Sequence, residues 1–348
     1  MSKRDSLLSS IAETIKDYRL GEIEIPTPKH VARWISQFNN DVQLALLQEI
    51  NHVLKQTYFS KEFVSNWFAN QIKHEKLVGH DPCTFWHEAN LLKIQQNGQS
   101  QTDIISLFGE SLMKQCRLAI KNCGSPKGAF IYLDDVLFSG GRVGGDMSKW
   151  ITETAPAIAT VHILVIASHR LGEWQMTKRI EDAAKQAEKK IEFHTWASIR
   201  FENRKAYRNQ AEVLWPAHLP EDEVLRAYMA KESKYPFEPR QVGGRLNNQI
   251  FSSEQGRQLL EREFLLAGVK ILKQCLNPKL SLRPLGFSGF GLGFGSMIVT
   301  FRNCPNNCPL AFWWGNPNAA HGDPLGNWYP LFQRKTYSRS LSPYDFDF

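Results

Sequence analysis

Apolar residues recur at helical spacing from the start of the chain to about residue 75. The pair Thr27-Pro28 is typical of a helix N-cap followed by proline in the first turn, and an apolar face follows over residues 31–38. A second stripe continues beyond Asn39-Asn40, which breaks the first helix from the next. The pattern predicts a helical N-terminal domain over residues 1–78.

Strand and helix patterns alternate from about residue 84 onwards. Apolar runs typical of buried strands lie at residues 129–137, 161–167 and 191–199, and helical patterns separate them. The helix before the first of these runs is predicted to end near Gly124, and the helix after it to begin at Asp146. Strands joined by helices of this length predict a parallel sheet with helices on both faces. We therefore expect an α/β domain over residues 79–348, with ligands beyond the carboxyl ends of its strands.

Glycine occupies every second position from Gly289 to Gly295 near the C-terminus. A period of two predicts a strand, one face of which is bare glycine and suits close approach of another backbone or of a ligand, with backbone packing as the favoured interpretation. The following residues resemble a second strand, joined to the first by a turn at Pro305-Asn306-Asn307.

Composition excludes several classes of protein. With 348 residues, of which 42% are hydrophobic and 22% charged, the chain is neither disordered nor a disulfide-stapled miniprotein. No apolar run approaches the roughly 18 residues of a membrane span, and the amphipathic start lacks the features of a signal peptide. Six cysteines are few for this length, so we expect reduced thiols and a cytoplasmic protein with no membrane association.

The net charge of +7 favours anionic partners without distinguishing among them. Basic residues cluster between residues 200 and 208 and alternate with Phe201 and Tyr207. Such a cluster can hold nucleic acid through phosphate contacts and base stacking. An ordinary solvated face is the favoured interpretation of the same residues.

The most informative stretch is an acidic pair followed by a glycine-rich loop. Asp134 and Asp135 come at the end of a buried strand, and residues 139–142 read Ser-Gly-Gly-Arg before a helix. Carboxylates accept hydrogen bonds from sugar hydroxyls and hold water around Mg²⁺, while glycine amides at a helix start bind phosphate. The pattern predicts a grip on ribose 5-phosphate, although an ordinary solvated turn stays open as the alternative.

At these residues the chain resembles the type I phosphoribosyltransferases, in which a strand, two acids and a Thr/Ser-Gly turn hold phosphoribosyl pyrophosphate. Over nearly its whole length it resembles the phosphoribosyltransferase-like family of bacterial conflict and retron systems. The resemblance implies ribose and metal contacts for Asp134 and Asp135, and Mg²⁺ bound through phosphoribosyl pyrophosphate. It implies 5-phosphate contacts for a set of four loop residues: Ser139, Gly140, Gly141 and Arg142.

Two positions depart from the pattern of the transferases. Phe138 stands where some purine enzymes have a carboxylate base, so proton abstraction by the protein is in doubt. Arg142 replaces the closing Thr/Ser, yet arginine can clamp a phosphate in a bidentate fork.

Three further residues are candidates for substrate contacts. Ser100 lies in the loop where the resemblance places the pyrophosphate-binding turn, although a plain turn is an equally good interpretation. His169 and Arg170 follow the strand at residues 161–167 and could contact a base or leaving group, or form a rim turn with no role.

Two functions follow. The first is a Mg²⁺-dependent phosphoribosyl or ribosyl transferase acting on a nucleotide-type substrate. The resemblance implies an antiphage defence effector, held in check by a partner such as a reverse transcriptase with its RNA and DNA. The alternative is a catalytically inactive regulator with the same fold, or a module that binds nucleotides or nucleic acid.

Overall fold

A computed structural model describes residues 2–96, 99–231, 237–243, 250–275, 277–289, 291–319 and 323–335. The chain forms two compact units, one comprising Lys61–Arg204 and the other Met1–Ser60 together with Lys205–Phe348. The second unit therefore combines the two ends of the chain, whereas the sequence predicted a single division after residue 78.

The helices in the described residues are α1 (Lys3–Thr14), α2 (Pro28–Ile35), α3 (Asn40–Thr57), α4 (Lys61–Ile72), α5 (Glu75–Val78), α6 (Pro82–Glu88), α7 (Ser100–Cys116), α8 (Gly141–Glu153), α9 (Arg170–Gln186), α10 (Glu223–Lys231), α11 (Glu254–Lys273) and α12 (Leu310–Trp313). The strands are β1 (Tyr58–Phe59), β2 (Asn90–Leu91), β3 (Phe130–Leu137), β4 (Ile158–His169), β5 (Lys190–Phe201) and β6 (Val299–Thr300). None of these helices combines the length and the apolar character needed to cross a membrane.

The unit Lys61–Arg204 contains a four-stranded sheet in the order β2-β3-β4-β5. All neighbouring strands are parallel, and β3 pairs with β4 from Phe130 opposite Val161 to Leu137 opposite Ser168. The edge strand β2 reaches only as far as Leu91 opposite Ile131. The predicted parallel sheet is confirmed, and its strands coincide with the apolar runs of the sequence.

Helices cover both faces of this sheet. On one face, α8 and α9 contribute Met147 and Met176 to a core that includes Tyr132 and Ile163. The helices α4, α6 and α7 share an aromatic cluster in which Phe108 contacts two other rings, those of Phe68 and Trp86. Fully buried rings of this size contribute much of the hydrophobic stabilisation of a domain. The mixed α/β class expected from the sequence is confirmed.

Cys83 and Cys116 form a disulfide that joins the first turn of α6 to the last residue of α7. The expectation of reduced thiols is therefore wrong for this pair. The two residues are 33 apart in sequence but their Cα atoms are 5.4 Å apart, because the two helix ends meet. The other four cysteines, at positions 123, 275, 304 and 308, are free.

Two helix boundaries differ from those predicted. The helix α7 ends at Cys116 and not near Gly124, since Arg117 adopts the left-handed conformation (φ 52°) that closes it. The helix α8 begins at Gly141, five residues before the predicted start at Asp146. The glycines at 144 and 145 thus lie inside a helix, where the sequence indicated a loop.

The other unit is held together by pairing between its N-terminal and C-terminal parts. The strand β1, which directly follows α3, pairs with β6 in parallel. The N-cap predicted at Thr27 is confirmed, because its hydroxyl accepts a hydrogen bond from the amide of His30. In α11, Ser253 likewise caps the amide of Gly256.

The predicted pair of C-terminal strands is wrong. Residues 291–298 form turns and extended backbone outside any strand, and the segment after the Pro305-Asn306-Asn307 turn is the short helix α12. Gly293 and Gly295 have φ values of 130° and 72°, which are unfavourable for other residues. A Cβ at Gly295 would lie 2.3 Å from the carbonyl oxygen of Leu214. These glycines serve close backbone approach, as expected, but in turns.

Candidate functional site

Asp134 lies inside β3 and is only 3% exposed. Its carboxylate accepts a hydrogen bond from the amide of Asp135 at 2.9 Å, from the Ser100 hydroxyl, and at 3.5 Å from the Tyr132 hydroxyl. Asp135 is half-buried, and its carboxylate accepts the amide of Val136 at 2.7 Å. Both acids therefore have defined orientations set by their own strand and by the start of α7.

The position of the acids differs from the predicted strand end, since β3 continues for two residues to Leu137. On the β2 side, no strand among the described residues pairs with β3 at the positions of the acids, because β2 pairs only with the first two residues of β3. Beyond that point the first turn of α7 takes its place, and the side-chain amide of Gln101 donates to the carbonyl of Leu133 at 3.4 Å. The N-terminus of α7, with its partial positive charge, thus adjoins Asp134.

Burial is the larger cause, and the neighbouring carboxylate of Asp135 the second, of a pKa of Asp134 that is raised to about 7. Hydrogen bonds from Ser100 and from the amide of Asp135, together with the charge of Arg142, oppose this shift without cancelling it. Two adjacent acids with so little solvent are unfavourable unless a cation or hydroxyl donors compensate them. The electrostatics of the pair therefore favour a ligand.

The loop after β3 requires glycine at Gly140. This residue has a φ of 73° and forms the N-cap of α8. A Cβ there would lie 2.2 Å from the carbonyl oxygen of Gly172, in the first turn of α9. A Cβ at Gly172 would in turn lie 1.8 Å from the carbonyl oxygen of Phe138. Two glycines thus allow the loop and α9 to pack backbone against backbone, which fixes where α8 begins.

The start of α8 presents polar groups to solvent. The first amides of a helix have no intrahelical acceptor, and the amide of Gly141 makes only a long bond, 3.4 Å, to the Ser139 hydroxyl. Ser139, Gly141 and Arg142 are exposed. Within the part of the chain that the structure describes, Arg142 forms no ion pair within 4 Å. An anion at this helix start would meet amides and a guanidinium together.

Asp146 is a third acid at this site, and the sequence interpretation missed it. It lies in the second turn of α8 and is 8% exposed, and its Oδ2 atom has no hydrogen-bond partner among the described residues. Burial raises the pKa of Asp146, while the amide of Gln96 and the charges of Arg142 and Arg179 lower it. The sequence does show an acid directly after the glycine-rich segment. When the helix is predicted to begin at Asp146, this acid is interpreted as a helix cap and not as part of the site.

His169 is fully buried at the end of β4. Its ring stacks on Phe138 at 5.2 Å between centroids and packs against Phe201, and its Nδ1 donates to the carbonyl of Leu137 at 3.3 Å. Burial lowers the pKa of His169 to about 3, so the ring is neutral. The His169 ring therefore packs under the start of the loop through its contact with Phe138, the residue that precedes Ser139.

Arg170 is the first residue of α9, and its side chain is 49% exposed. Its guanidinium lies 4.0 Å from the carboxylate of Glu202, which also binds Arg204 at 2.6 Å. This shared carboxylate leaves Arg170 only loosely held at the carboxyl edge of the sheet, where β4 and β5 end.

Ser100, the first residue of α7, is 6% exposed. Its hydroxyl accepts a hydrogen bond from the side-chain amide of Gln95 at 2.8 Å and contacts Asp134. Positions 97 and 98 of the predicted pyrophosphate loop lie outside the described residues. The structure thus brings Ser100 together with the acid pair, and the loop before it is represented by Gln95, Gln96 and Gln99.

The basic cluster near residues 200–208 is largely neutralised by acids. Arg200 binds Glu173 at 3.0 Å, and Arg204 binds Glu202. Lys205 and Arg208 share a third carboxylate, that of Glu238. Phe201, one of the two interleaved rings, is 1% exposed. The favoured interpretation of a solvated face agrees with these pairs.

No group of three or more His, Cys, Asp or Glu side chains among the described residues could hold a metal ion by itself. Mg²⁺ is commonly bound by one or two carboxylates with substrate phosphates completing its coordination. The buried Asp134, the half-buried Asp135 and the unpartnered Oδ2 of Asp146 are oxygen donors of the type that this mode requires. The donor set fits Mg²⁺ that arrives with a phosphorylated substrate.

Comparisons with known proteins connect this site to a family. No curated protein and no solved structure gives a significant match to the chain. A family model described as PRTase-CE matches residues 31–334, which is most of the chain and includes every residue of the site. The chain therefore belongs to the phosphoribosyltransferase-like PRTase-CE family.

Proposed function

We propose that this protein is a Mg²⁺-dependent phosphoribosyl or ribosyl transferase that acts on a nucleotide-type substrate. Phosphoribosyl pyrophosphate is the proposed donor. Asp134 and Asp135 bind the ribose hydroxyls and the metal, and the loop of Ser139, Gly140, Gly141 and Arg142 binds the 5-phosphate. Membership of the PRTase-CE family supports the reaction class.

The observation that carries the proposal is the buried Asp134 beside Asp135, with its pKa raised to about 7. A protein that only needed a stable strand would gain by replacing this acid with an apolar residue. Ribose hydroxyls or a bound cation supply what the carboxylates lack, and the start of α8 supplies amides for the attached phosphate. The ribose of one ligand would thus contact the acids of β3, and its phosphate would contact the start of α8, the next segment of the chain.

In the proposed reaction the bond between ribose C1 and pyrophosphate breaks, and an acceptor forms a new bond at C1. Positive charge develops on the ribose ring as the leaving group departs, and carboxylates close to that ring stabilise it electrostatically. Bound Mg²⁺ supplies neutralisation of the departing pyrophosphate. Arg142 holds the 5-phosphate, so that the ring keeps its orientation while the bonds change.

No side chain of the loop acts as a base in this scheme. Phe138 occupies the loop position where a carboxylate base would stand, and His169 beneath it is neutral and buried. Asp146 is placed instead on α8 with one unpartnered oxygen, and burial raises its pKa, which makes it a stronger proton acceptor than an ordinary carboxylate. We assign it the role of positioning the acceptor or accepting its proton.

A second candidate is a regulator that binds the nucleotide without turnover. The observation that favours it is the stack of Phe138 on the buried His169, which places a ring where a carboxylate base would stand and leaves the loop without an acid of its own. Either candidate would suit an effector of a bacterial defence system that a partner holds in check. A reverse transcriptase with its RNA and DNA is the partner implied by the sequence resemblance.

Isothermal titration with phosphoribosyl pyrophosphate tests the site. We expect binding in the presence of Mg²⁺ and its loss with EDTA. Binding should also be lost in the double variant Asp134→Asn with Asp135→Asn, because the carboxylates are the hydroxyl and metal acceptors. Asp103→Asn, which removes an exposed acid from α7 in the same unit, is the matched control and should bind like the wild type.

Pyrophosphate release with a panel of bases and nucleotides then separates the candidates. Release that is lost in the double variant supports the transferase, and Asp146→Asn should lower the rate more than it lowers donor affinity. Tight binding without release by any acceptor supports the regulator. Absence of binding by the wild type with Mg²⁺ contradicts both, since each requires the ribose phosphate site.

A further inference from the structure

A polar groove lies between α8 and α9. Its cavity volume is about 640 Å³. It is lined by Ser148 and Lys149 of α8 and by Trp174, Lys178, Arg179 and Asp182 of α9, among others. Three bases against one acid make this surface positive.

Trp174 is the most unusual member of the groove. The residue is 58% exposed, although tryptophan is highly buried on average. The ammonium of Lys178 lies 5.6 Å from its ring centroid, one turn further along α9. An exposed indole ring beside a cation offers a stacking platform next to a phosphate-binding group.

The bases of the groove retain charge for a ligand. In the described residues, Lys149, Lys178 and Arg179 form no ion pair within 4 Å. Arg179 donates to the carbonyl of Gly141 at 3.3 Å, and its charge lowers the pKa of Asp146, but it is not held in an ion pair within 4 Å among the described residues. The cluster at residues 200–208 has the same composition but is paired with acids, so the groove is the more effective anion site.

The length of the groove favours a polymer over a single nucleotide. Its lining on α9 runs from Trp174 to Gln186, twelve residues or about 18 Å of helix at 1.5 Å per residue. Successive phosphates of one strand are spaced by a few ångströms, about 3.4 Å per nucleotide in a duplex. Several phosphates can therefore lie along the three cations while one base stacks on the indole ring.

We propose that the groove between α8 and α9 binds single-stranded nucleic acid, with a base stacked on Trp174 and phosphates on Lys149, Lys178 and Arg179. Recognition is by charge and stacking, so it is tolerant of sequence. The inference does not depend on the transferase activity, because none of these four residues belongs to the ribose phosphate site.

Fluorescence anisotropy with a fluorescein-labelled 12-mer of deoxythymidine, titrated at 50 to 200 mM KCl in the presence of EDTA, tests the proposal. Three phosphate contacts predict a slope of log affinity against log salt of about −2, from −0.7 per contact. Trp174→Ala should weaken binding by about 5- to 100-fold. Lys149→Ala and Lys178→Ala should each make the slope less negative by about 0.7.

Two matched controls and one variant of opposite sign sharpen the test. Lys185→Ala removes an exposed base of α9 outside the groove, and Tyr207→Ala removes the exposed ring of the paired basic cluster; both should change affinity by less than about twofold. Asp182→Asn should strengthen binding, because it removes the acid of the groove. Trp174 is exposed, so its variant tests contact and not folding.

Four results would overturn the proposal. The first is no binding of the 12-mer at 50 mM KCl. The second is equal affinity of the wild type and Trp174→Ala. The third is a larger loss in Tyr207→Ala than in Trp174→Ala. The fourth is binding of thymidine monophosphate as tight as that of the 12-mer, which would make the groove a mononucleotide site.

Discussion

Substituting the glycines at which the loop after β3 packs against α9 should destabilise the protein in a defined order. In Gly140→Ala, the new Cβ meets the carbonyl oxygen of Gly172 at 2.2 Å, on a backbone with φ 73°. In Gly172→Ala, the Cβ meets the carbonyl oxygen of Phe138 at 1.8 Å, on an ordinary helical backbone. In Gly141→Ala, the nearest atom is the Ser139 hydroxyl at 3.5 Å, an ordinary contact.

The three variants therefore separate two costs. A left-handed backbone costs a residue with a Cβ roughly 1–2 kcal/mol, and forcing two packed backbones apart costs roughly 1–3 kcal/mol. Gly140→Ala has both costs, so we expect a loss of about 2–5 kcal/mol. Gly172→Ala has only the overlap, partly offset by roughly 1 kcal/mol of helix propensity, and Gly141→Ala should stay within about 1 kcal/mol of the wild type.

Urea denaturation followed by tryptophan fluorescence measures the free energy of unfolding, and hydrogen exchange at residues 138–144 reports on the loop itself. Gly140→Ala should speed exchange at the first turn of α8 and weaken binding of phosphoribosyl pyrophosphate in parallel. Equal stability of Gly140→Ala and Gly141→Ala would refute the close packing of loop and helix on which the proposed phosphate site depends.

Three further predictions concern groups whose environment is defined. Asp134→Asn should stabilise the ligand-free protein at pH 8 and abolish binding of phosphoribosyl pyrophosphate. The pKa of Asp134 is about 7 in the folded protein and about 3.9 in the unfolded chain, so the acid costs more stability as the pH rises between these values. A gain in stability that persists at pH 4 would contradict this origin. Cys83→Ser should lower the free energy of unfolding by about 4 kcal/mol, because the disulfide closes a loop of 33 residues and so restricts the unfolded chain. Cys123→Ser, at a free cysteine, should have little effect, and equal denaturation curves for the two variants would contradict the cross-link. Glu261→Gln should cost about 3–5 kcal/mol, because the buried Arg257 loses its ion pair, while Arg240 loses Glu261 and retains Glu254. Glu263→Gln, whose partner Arg262 is 49% exposed, should cost less than about 1 kcal/mol in the same denaturation assay. Similar losses in both variants would contradict the assignment.

Much of the sheet was predictable because its strands carry continuous apolar runs. Ile131, Leu133, Val165 and Ile166 are all fully or nearly fully buried, as strands covered on both faces require. The C-terminal glycines were not predictable, because alternating glycine fits both a strand and a series of turns with positive φ. Glycine carries no side chain from which the two could be told apart, and only contacts distant in sequence, such as that of Gly295 with Leu214, decide.

The disulfide and the third acid escaped prediction for different reasons. A spacing of 33 residues between Cys83 and Cys116 says nothing of distance until α6 and α7 are packed. Asp146 was missed because the residues before it, Arg-Val-Gly-Gly, have a composition typical of a loop. In the structure the N-cap at Gly140 starts the helix early, and this places Asp146 on an inner face near Arg142.

The acid pair was recognisable from the sequence, yet its energetic character came only from the fold. Three donors, the Ser100 and Tyr132 hydroxyls and the amide of Asp135, hold Asp134 in place. These bonds fix its geometry but leave its pKa near 7, because burial and Asp135 outweigh them. A side chain that is held rigidly and yet disfavoured in its charged form is prepared for a ligand that supplies positive charge or hydroxyl donors. Stability alone would not keep such a residue, so the strain at Asp134 is itself the physical argument for a site at the edge of β3.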